Sequence, residues 1–184
     1  QETCIPIETE QEIIEGCRKG NASARRELYE RYGGAMYGVC RRYVKDPATA
    51  EDLLHDGFIT LYTKIGEFRG EGSFEGWCRR IFVNTALGYL RKRNPLSESD
   101  QIEGMYSLSD RQVTAVEKMS ADELLECIGE LPEGYRTILN LYAVEGYSHK
   151  EVAEMMGISE NTSRSQYSRA RVKLTEIMKN KELI

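Results

Sequence analysis

The chain has 184 residues, of which 40% are hydrophobic and 30% charged, with a formal net charge of −5. The mean hydropathy is −0.53, and no window approaches the roughly 18 uninterrupted apolar residues of a spanning helix, so wholesale disorder and a membrane span are both excluded. Residues 1–15 hold Glu2, Glu8, Glu10, Glu12 and Glu15 without a Lys or Arg, which rules out the basic start of a signal peptide; a cytoplasmic chain is expected.

Sustained alternation of apolar and polar residues is absent and 3.6-residue periodicity recurs, which predicts an all-α chain. A short amphipathic helix is expected over 10–19, closed by Gly20. Asn21 can cap a second helix carrying Ala24, Leu28, Tyr32, Met36, Val39 and Tyr43 on one face. Asp46 and Pro47 end that unit and open a third helix. Pro suits the first helical position because its missing N–H would have no partner there. On this helix Ala50, Leu53, Leu54, Gly57, Phe58, Leu61 and Ile65 form an apolar stripe, leaving Glu51, Asp52, His55, Asp56 and Lys64 outward. After the turn Phe68-Arg69-Gly70-Glu71-Gly72-Ser73, Ser73 can cap a fourth helix with Phe74, Trp77, Cys78, Ile81, Phe82, Thr85 and Tyr89 at helical spacing, stopped by Pro95. Residues 96–120 are rich in Ser and acids with too few apolar residues for a core, and are read as a linker. Helices resume near Asp122, and Pro132 opens one with Tyr135, Ile138, Leu139 and Tyr142 that ends at Gly146. The expectation is two small helical domains, 1–95 and 121–184, joined by a flexible acidic linker over 96–120.

The acidity is segregated. Residues 1–15 carry a net charge of −5, and residues 96–130 hold nine acids against two bases, a net of −7. The remainder is therefore basic at +7, and residues 161–173 contain Arg164, Arg169, Arg171 and Lys173 with no acid. Binding to nucleic acid responds to the local field at the contacting face, so the overall acidity does not exclude it. The five cysteines are odd in number and widely spaced, with only His55 and His149 to assist, so neither a metal nor a cofactor is expected. Cys17, Cys40 and Cys78 fall at apolar helix positions and read as reduced core residues. No Gly-rich phosphate loop, Cys/His pair or Ser-centred elbow supports an enzyme.

The clearest small motif lies near the end of the chain. Ser148-His149-Lys150-Glu151 is a capping box, after which Val152, Ala153, Met155 and Met156 pack a short helix. Gly157 permits a left-handed turn, Ile158 plugs the corner and Ser159 caps a second helix: a helix-turn-helix. That second helix sets Tyr167, Ala170, Leu174 and Ile177 on one side. Near its N-terminal half stand Asn161, Thr162, Arg164, Ser165, Gln166, Ser168 and Arg169, residue types that can read base edges in a major groove. An ordinary helical hairpin with a solvated polar face is the plainer reading of the same pattern.

The longer stretches Glu27-Leu28-Tyr29-Glu30-Arg31-Tyr32, Ala50-Glu51-Asp52-Leu53-Leu54-His55-Asp56-Gly57-Phe58, 68–93 and 131–174 resemble, in order and spacing, the extracytoplasmic-function sigma factors of bacterial RNA polymerase. The resemblance implies a two-domain, non-catalytic initiation subunit that binds core RNA polymerase and promoter DNA, aids promoter melting and is held by an anti-sigma factor, without membrane insertion. It implies that Glu51, Asp52, His55 and Asp56 dock on the clamp helices of the polymerase's largest subunit. Phe68, Arg69, Trp77, Arg80 and Asn84 correspond to the surface that melts DNA and holds a flipped minus-ten base. Such a base needs an apolar wall and hydrogen-bond partners at its edge. Trp77 and Phe74 also lie on the apolar stripe and read as core first, which leaves Asn84 the better candidate. Asn161, Thr162, Arg164, Ser165, Gln166, Ser168 and Arg169 belong to the helix that reads the minus-thirty-five element. Ser163, Gln166, Ser168 and His55 depart from residues common in the family, so the promoter sequence is not given by the resemblance.

Two other functions fit parts of the pattern. A sigma-like decoy would bind an anti-sigma factor and no DNA, and would have no need of a recognition helix with four bases and no acid. A two-domain repressor or activator would bind duplex DNA without polymerase.

Overall fold

The structure, a computed structural model, describes residues 9–93 and 121–183, and every regular element among them is helical. In chain order these are α1 (Glu10–Arg18), α2 (Ala22–Tyr43), α3 (Pro47–Lys64), a 3₁₀ turn (Ile65–Glu67) and α4 (Phe74–Arg93), then α5 (Ala121–Glu130), α6 (Glu133–Leu139), a π-helical turn (Asn140–Val144), α7 (His149–Met156) and α8 (Glu160–Asn180). No described helix is long and apolar enough to cross a membrane. The chain divides into two compact units, with the boundaries at Arg41/Arg42, Lys45/Asp46 and Ala86/Leu87. The linker expected over 96–120, the stop at Pro95 and most of the acidic stretch before α1 lie outside the described residues.

In the first unit the helix starts follow from local chemistry. Thr9 and Glu12 close a capping box on α1, the Asn21 side chain accepts from the Ser23 amide at 2.8 Å, and Asp46 accepts from the Thr49 amide at 2.9 Å with Pro47 behind it. Each cap satisfies amides that the first helical turn leaves without partners, contributing about 1 kcal/mol. Helix α1 buries Ile13, Ile14 and Cys17. All six apolar positions expected on α2 are buried, as is the α3 stripe through Leu61, with Ile65 buried in the 3₁₀ turn that follows. Each fully buried Leu or Phe contributes about 1.5–3 kcal/mol relative to exposure.

Helix α4 differs from the sequence expectation in phase. Phe74, Cys78 and Phe82 are buried as expected, but the stripe continues through Val83, Ala86, Leu87 and Leu90. Trp77, Ile81, Thr85 and Tyr89 are half-buried at its margin. The expected set mixed two adjacent rows of the helix because large apolar residues outlined a stripe wider than the buried seam. Burial raises the Cys78 thiol to about 12, so it stays a neutral core group.

The second unit is built on α5, α6 and α8, from which Cys127, Ile128, Leu139, Ala170, Ile177 and Met178 form one core cluster with Leu131 of the turn between α5 and α6. Leu174 and Tyr135 pack against it from partly buried positions. The buried Arg136 donates from Nη1 to the Gly129 carbonyl at 2.9 Å, satisfying an acceptor at the end of α5. The helix expected to run to Gly146 is regular only as far as Leu139. Beyond it the Glu145 amide donates five residues back to the Asn140 carbonyl at 2.9 Å, the wider repeat of a π turn.

Candidate nucleic-acid interface

The helix-turn-helix closes as its residues dictate. Ser148 and Glu151 form the reciprocal capping box of α7. Gly157 ends that helix at φ 70°, a conformation in which a side chain would crowd the backbone. Ser159 then caps α8 by accepting from the Thr162 amide at 3.0 Å. Val152, Ala153 and Met156 are buried, while Met155 and Ile158 are partly so.

On α8, Asn161, Arg164 and Ser165 are exposed, and Thr162, Gln166, Ser168 and Arg169 are half-buried on its flanks. Several of these donors already have intramolecular partners. Thr162 shares a 2.7 Å hydrogen bond with Ser159, and Ser165 donates to the Thr162 carbonyl at 3.1 Å. Arg164 pairs with Glu160 one turn earlier at 2.5 Å, with the two side chains 60% and 45% exposed. Further along, Arg171 lies over the Tyr167 ring at 5.9 Å and Lys173 pairs with Glu176.

The docking of α7 on α8 contains a feature the sequence reading missed. Ser163 is fully buried, and its Oγ lies 2.9 Å from His149 Nδ1. The His149 ring stacks on Tyr142 at 4.0 Å between centroids and meets Tyr167 edge-on at 5.7 Å. Burial, and then the charge of Arg164, hold His149 below the ordinary imidazole value, so it is neutral at pH 7. No local signal marks this contact, because its two residues lie 14 positions apart on different helices.

A second surface lies on the first unit. Phe68 is buried, with its ring 5.1 Å from Phe74 and 5.4 Å from Trp77. Arg69 is exposed in the loop that follows, where Gly70 and Gly72 take φ of 78° and 80°. Trp77, Arg80 and Asn84 are three and four residues apart and so share one face of α4, Trp77 half-buried and the other two exposed. Of the five residues expected around a minus-ten base, the structure therefore gathers the last three, with Phe68 serving as the buried support of Trp77. An aromatic edge beside an amide and a guanidinium offers both a stacking wall and hydrogen-bonding groups.

On the opposite row of α3, Glu51, Asp52, His55 and Asp56 are all exposed. The face also carries Ile59, 56% exposed and one turn beyond His55, which the sequence reading did not single out. Among the described residues no group of His, Cys, Asp and Glu could hold a metal ion, and the four described cysteines are buried thiols.

Comparison with known proteins matches residues 28–95 to the model for sigma-70 region 2 and residues 121–174 to that for sigma-70, region 4. The chain is 33% identical over 184 residues to an ECF RNA polymerase sigma-E factor of Haemophilus influenzae, covering 94% of this chain and 95% of the relative. It is 32% identical over 176 residues to the RNA polymerase sigma-H factor of Pseudomonas aeruginosa, covering 89% and 91%. Among solved structures it resembles the sigma factor RpoE in a complex with the anti-sigma factor NepR from Bartonella quintana, with a TM-score of 0.53 at 21% identity over 84% of this chain and 96% of that one. The chain belongs to the extracytoplasmic-function sigma factors of the sigma-70 family.

Proposed function

We propose that this protein is a promoter-specificity subunit: it binds core RNA polymerase through the exposed face of α3, reads a minus-thirty-five element with α8 and grips an extruded minus-ten base with Trp77, Arg80 and Asn84 together with Arg69 of the adjoining loop, Phe68 supporting Trp77 from beneath. It performs no catalysis of its own and acts in the cytoplasm. The observation that carries this reading is the near full-length relationship to sigma factors, 94% of the chain at 33% identity, in a molecule whose α8 and α4 each present an exposed polar and basic face. In this reading 1–95 is region two, 121–184 is region four and 96–120 joins them. The matched segments support that division. The acidic 96–120 segment would run along a basic channel of the polymerase that otherwise accepts RNA.

An anti-sigma factor holding the free protein is part of the proposal, because a solved sigma factor of this fold was captured with such a partner. The test is reconstituted transcription with core polymerase on promoters selected from a randomised library. A discrete start site that depends on this protein and on two sequence elements is the expected result. A decoy would direct no transcription, and a repressor or activator would bind duplex equally with and without polymerase; either outcome defeats the proposal.

A further inference from the structure

The loop 69–72 is exposed and contains two glycines in the left-handed region, yet both of its ends are fixed. At the far end the Ser73 hydroxyl accepts from the Gly76 amide at 3.0 Å, capping α4. At the near end the Phe68 side chain is held by Phe74 and Trp77, while its backbone is held by a residue from a different element. Arg18, the last residue of α1, donates from Nη2 to the Phe68 carbonyl at 2.5 Å and from Nε to the Ile65 carbonyl at 3.4 Å. Its Nη1 is paired with Glu15 at 2.5 Å.

The planar guanidinium thus spans the last turn before the loop, on an acceptor, Ile65 O, that also receives the Phe68 amide at 3.3 Å. A charge-assisted bond to a backbone carbonyl is stronger than a neutral one, and a planar fork fixes direction as well as distance. Arg18 is in turn anchored by its helix. Ile13, Ile14 and Cys17 are buried, Glu10 accepts from the Tyr32 hydroxyl, and a Cβ placed on Gly16 would fall 2.5 Å from that of Ala24. Helix α1 precedes residue 28, where the family match to region two begins.

We propose that Arg18 is a positioning residue for minus-ten recognition: it fixes the carbonyl of Phe68 and so sets the direction in which Arg69 and the loop leave the domain. The inference rests on the reading of this loop as part of the minus-ten surface. Removing the clamp leaves the hydrophobic anchors of α1 in place, so the fold persists while the loop samples more conformations.

The experiment uses the full-length protein with core polymerase on its own promoter and on variants at each minus-ten position, with opening measured beside polymerase affinity and thermal unfolding. Arg18→Ala is expected to reduce discrimination between the preferred and substituted bases at least about fivefold, with polymerase affinity within about twofold of wild type. Arg18→Lys, which keeps the charge but loses the planar fork that fixes the direction of both carbonyls, falls between, and Glu15→Gln, which leaves both carbonyl bonds, behaves as wild type. Unchanged discrimination in Arg18→Ala overturns the proposal. So does an equal loss on every promoter accompanied by lost polymerase binding, which marks a purely structural residue; if Arg18→Ala does not fold, Arg18→Lys decides by the same criterion. Arg69→Ala separates the two layers: no effect there defeats the reading of the loop, whereas relaxed discrimination in Arg69→Ala with none in Arg18→Ala defeats the clamp alone.

Discussion

Gly57 of α3 and Phe82 of α4 approach so closely that a Cβ on Gly57 would sit 2.3 Å from the Phe82 ring. The ring cannot give way: it is fully buried and meets Phe58 edge-on at 5.1 Å. The helix bearing the proposed polymerase face and the helix bearing the proposed minus-ten face are therefore set together at a point where only glycine fits. Gly57→Ala is expected to destabilise the first unit. Overpacking costs about 1–3 kcal/mol, more than the roughly 1 kcal/mol or less that Ala gains over Gly within a helix. A lowered thermal midpoint checks this; a raised one shows that the contact relaxes freely.

The His149–Ser163 pair gives the second unit a pH dependence of defined sign. His149 is held below its ordinary value in the folded state, so as pH falls the unfolded chain takes up its proton first. Its stabilising contribution is fully present above the ordinary value of about 6.5 and is lost as pH drops through the lowered folded value. In the double variant His149→Phe with Ser163→Val, an apolar pair replaces the polar one, and the unfolding midpoint is expected to depend less on pH from about one unit above to about one and a half units below the ordinary histidine value. An unaltered pH profile contradicts this.

In the proposed reading of α8, Glu160 competes with DNA for Arg164, with which it is paired in the free protein. The exposed ion pair is weak, of the order of 0.2–1 kcal/mol, but Glu160 also adds negative charge at the end of α8 expected to meet the duplex. Glu160→Gln is expected to tighten binding to a minus-thirty-five duplex by about two- to fivefold at low salt. Titration of labelled duplex measures this, and equal or weaker binding shows that Glu160 is remote from the DNA.

Ile59 stands 56% exposed among the acids and histidine of α3, on the face proposed to bind polymerase, where burying it against the partner would make it an apolar anchor. Ile59→Asp is expected to weaken core polymerase affinity at least about fivefold while leaving thermal stability and duplex binding by α8 in place. Polymerase affinity equal to wild type removes Ile59 from the interface.

Much of this architecture was readable from local chemistry. Asn21, Asp46, Ser73, Ser148 and Ser159 each announce a helix start by a side chain that accepts from an unpaired amide, and each does so in the structure. The left-handed turn at Gly157 was equally legible, because few other residues tolerate that backbone. The α4 seam was misphased, since Trp77 and Tyr89 are large enough to look buried while only bordering the core. The contacts of Arg18 with Phe68 O and of His149 with Ser163 were out of reach for a different reason: they join residues 50 and 14 positions apart, and neither helical periodicity nor a cap signals a tertiary hydrogen bond.

Whether the exposed row of α4 holds a minus-ten base while α8 reads the upstream element is decided by permanganate reactivity of the promoter with holoenzymes containing wild-type protein or Asn84→Ala. Asn84 is exposed, so its truncation spares the core. The expected result is normal polymerase and upstream binding with opening reduced about tenfold, the scale of one base contact worth about 1–3 kcal/mol, and with relaxed choice at a single minus-ten position. Normal opening with unchanged base preference contradicts the account.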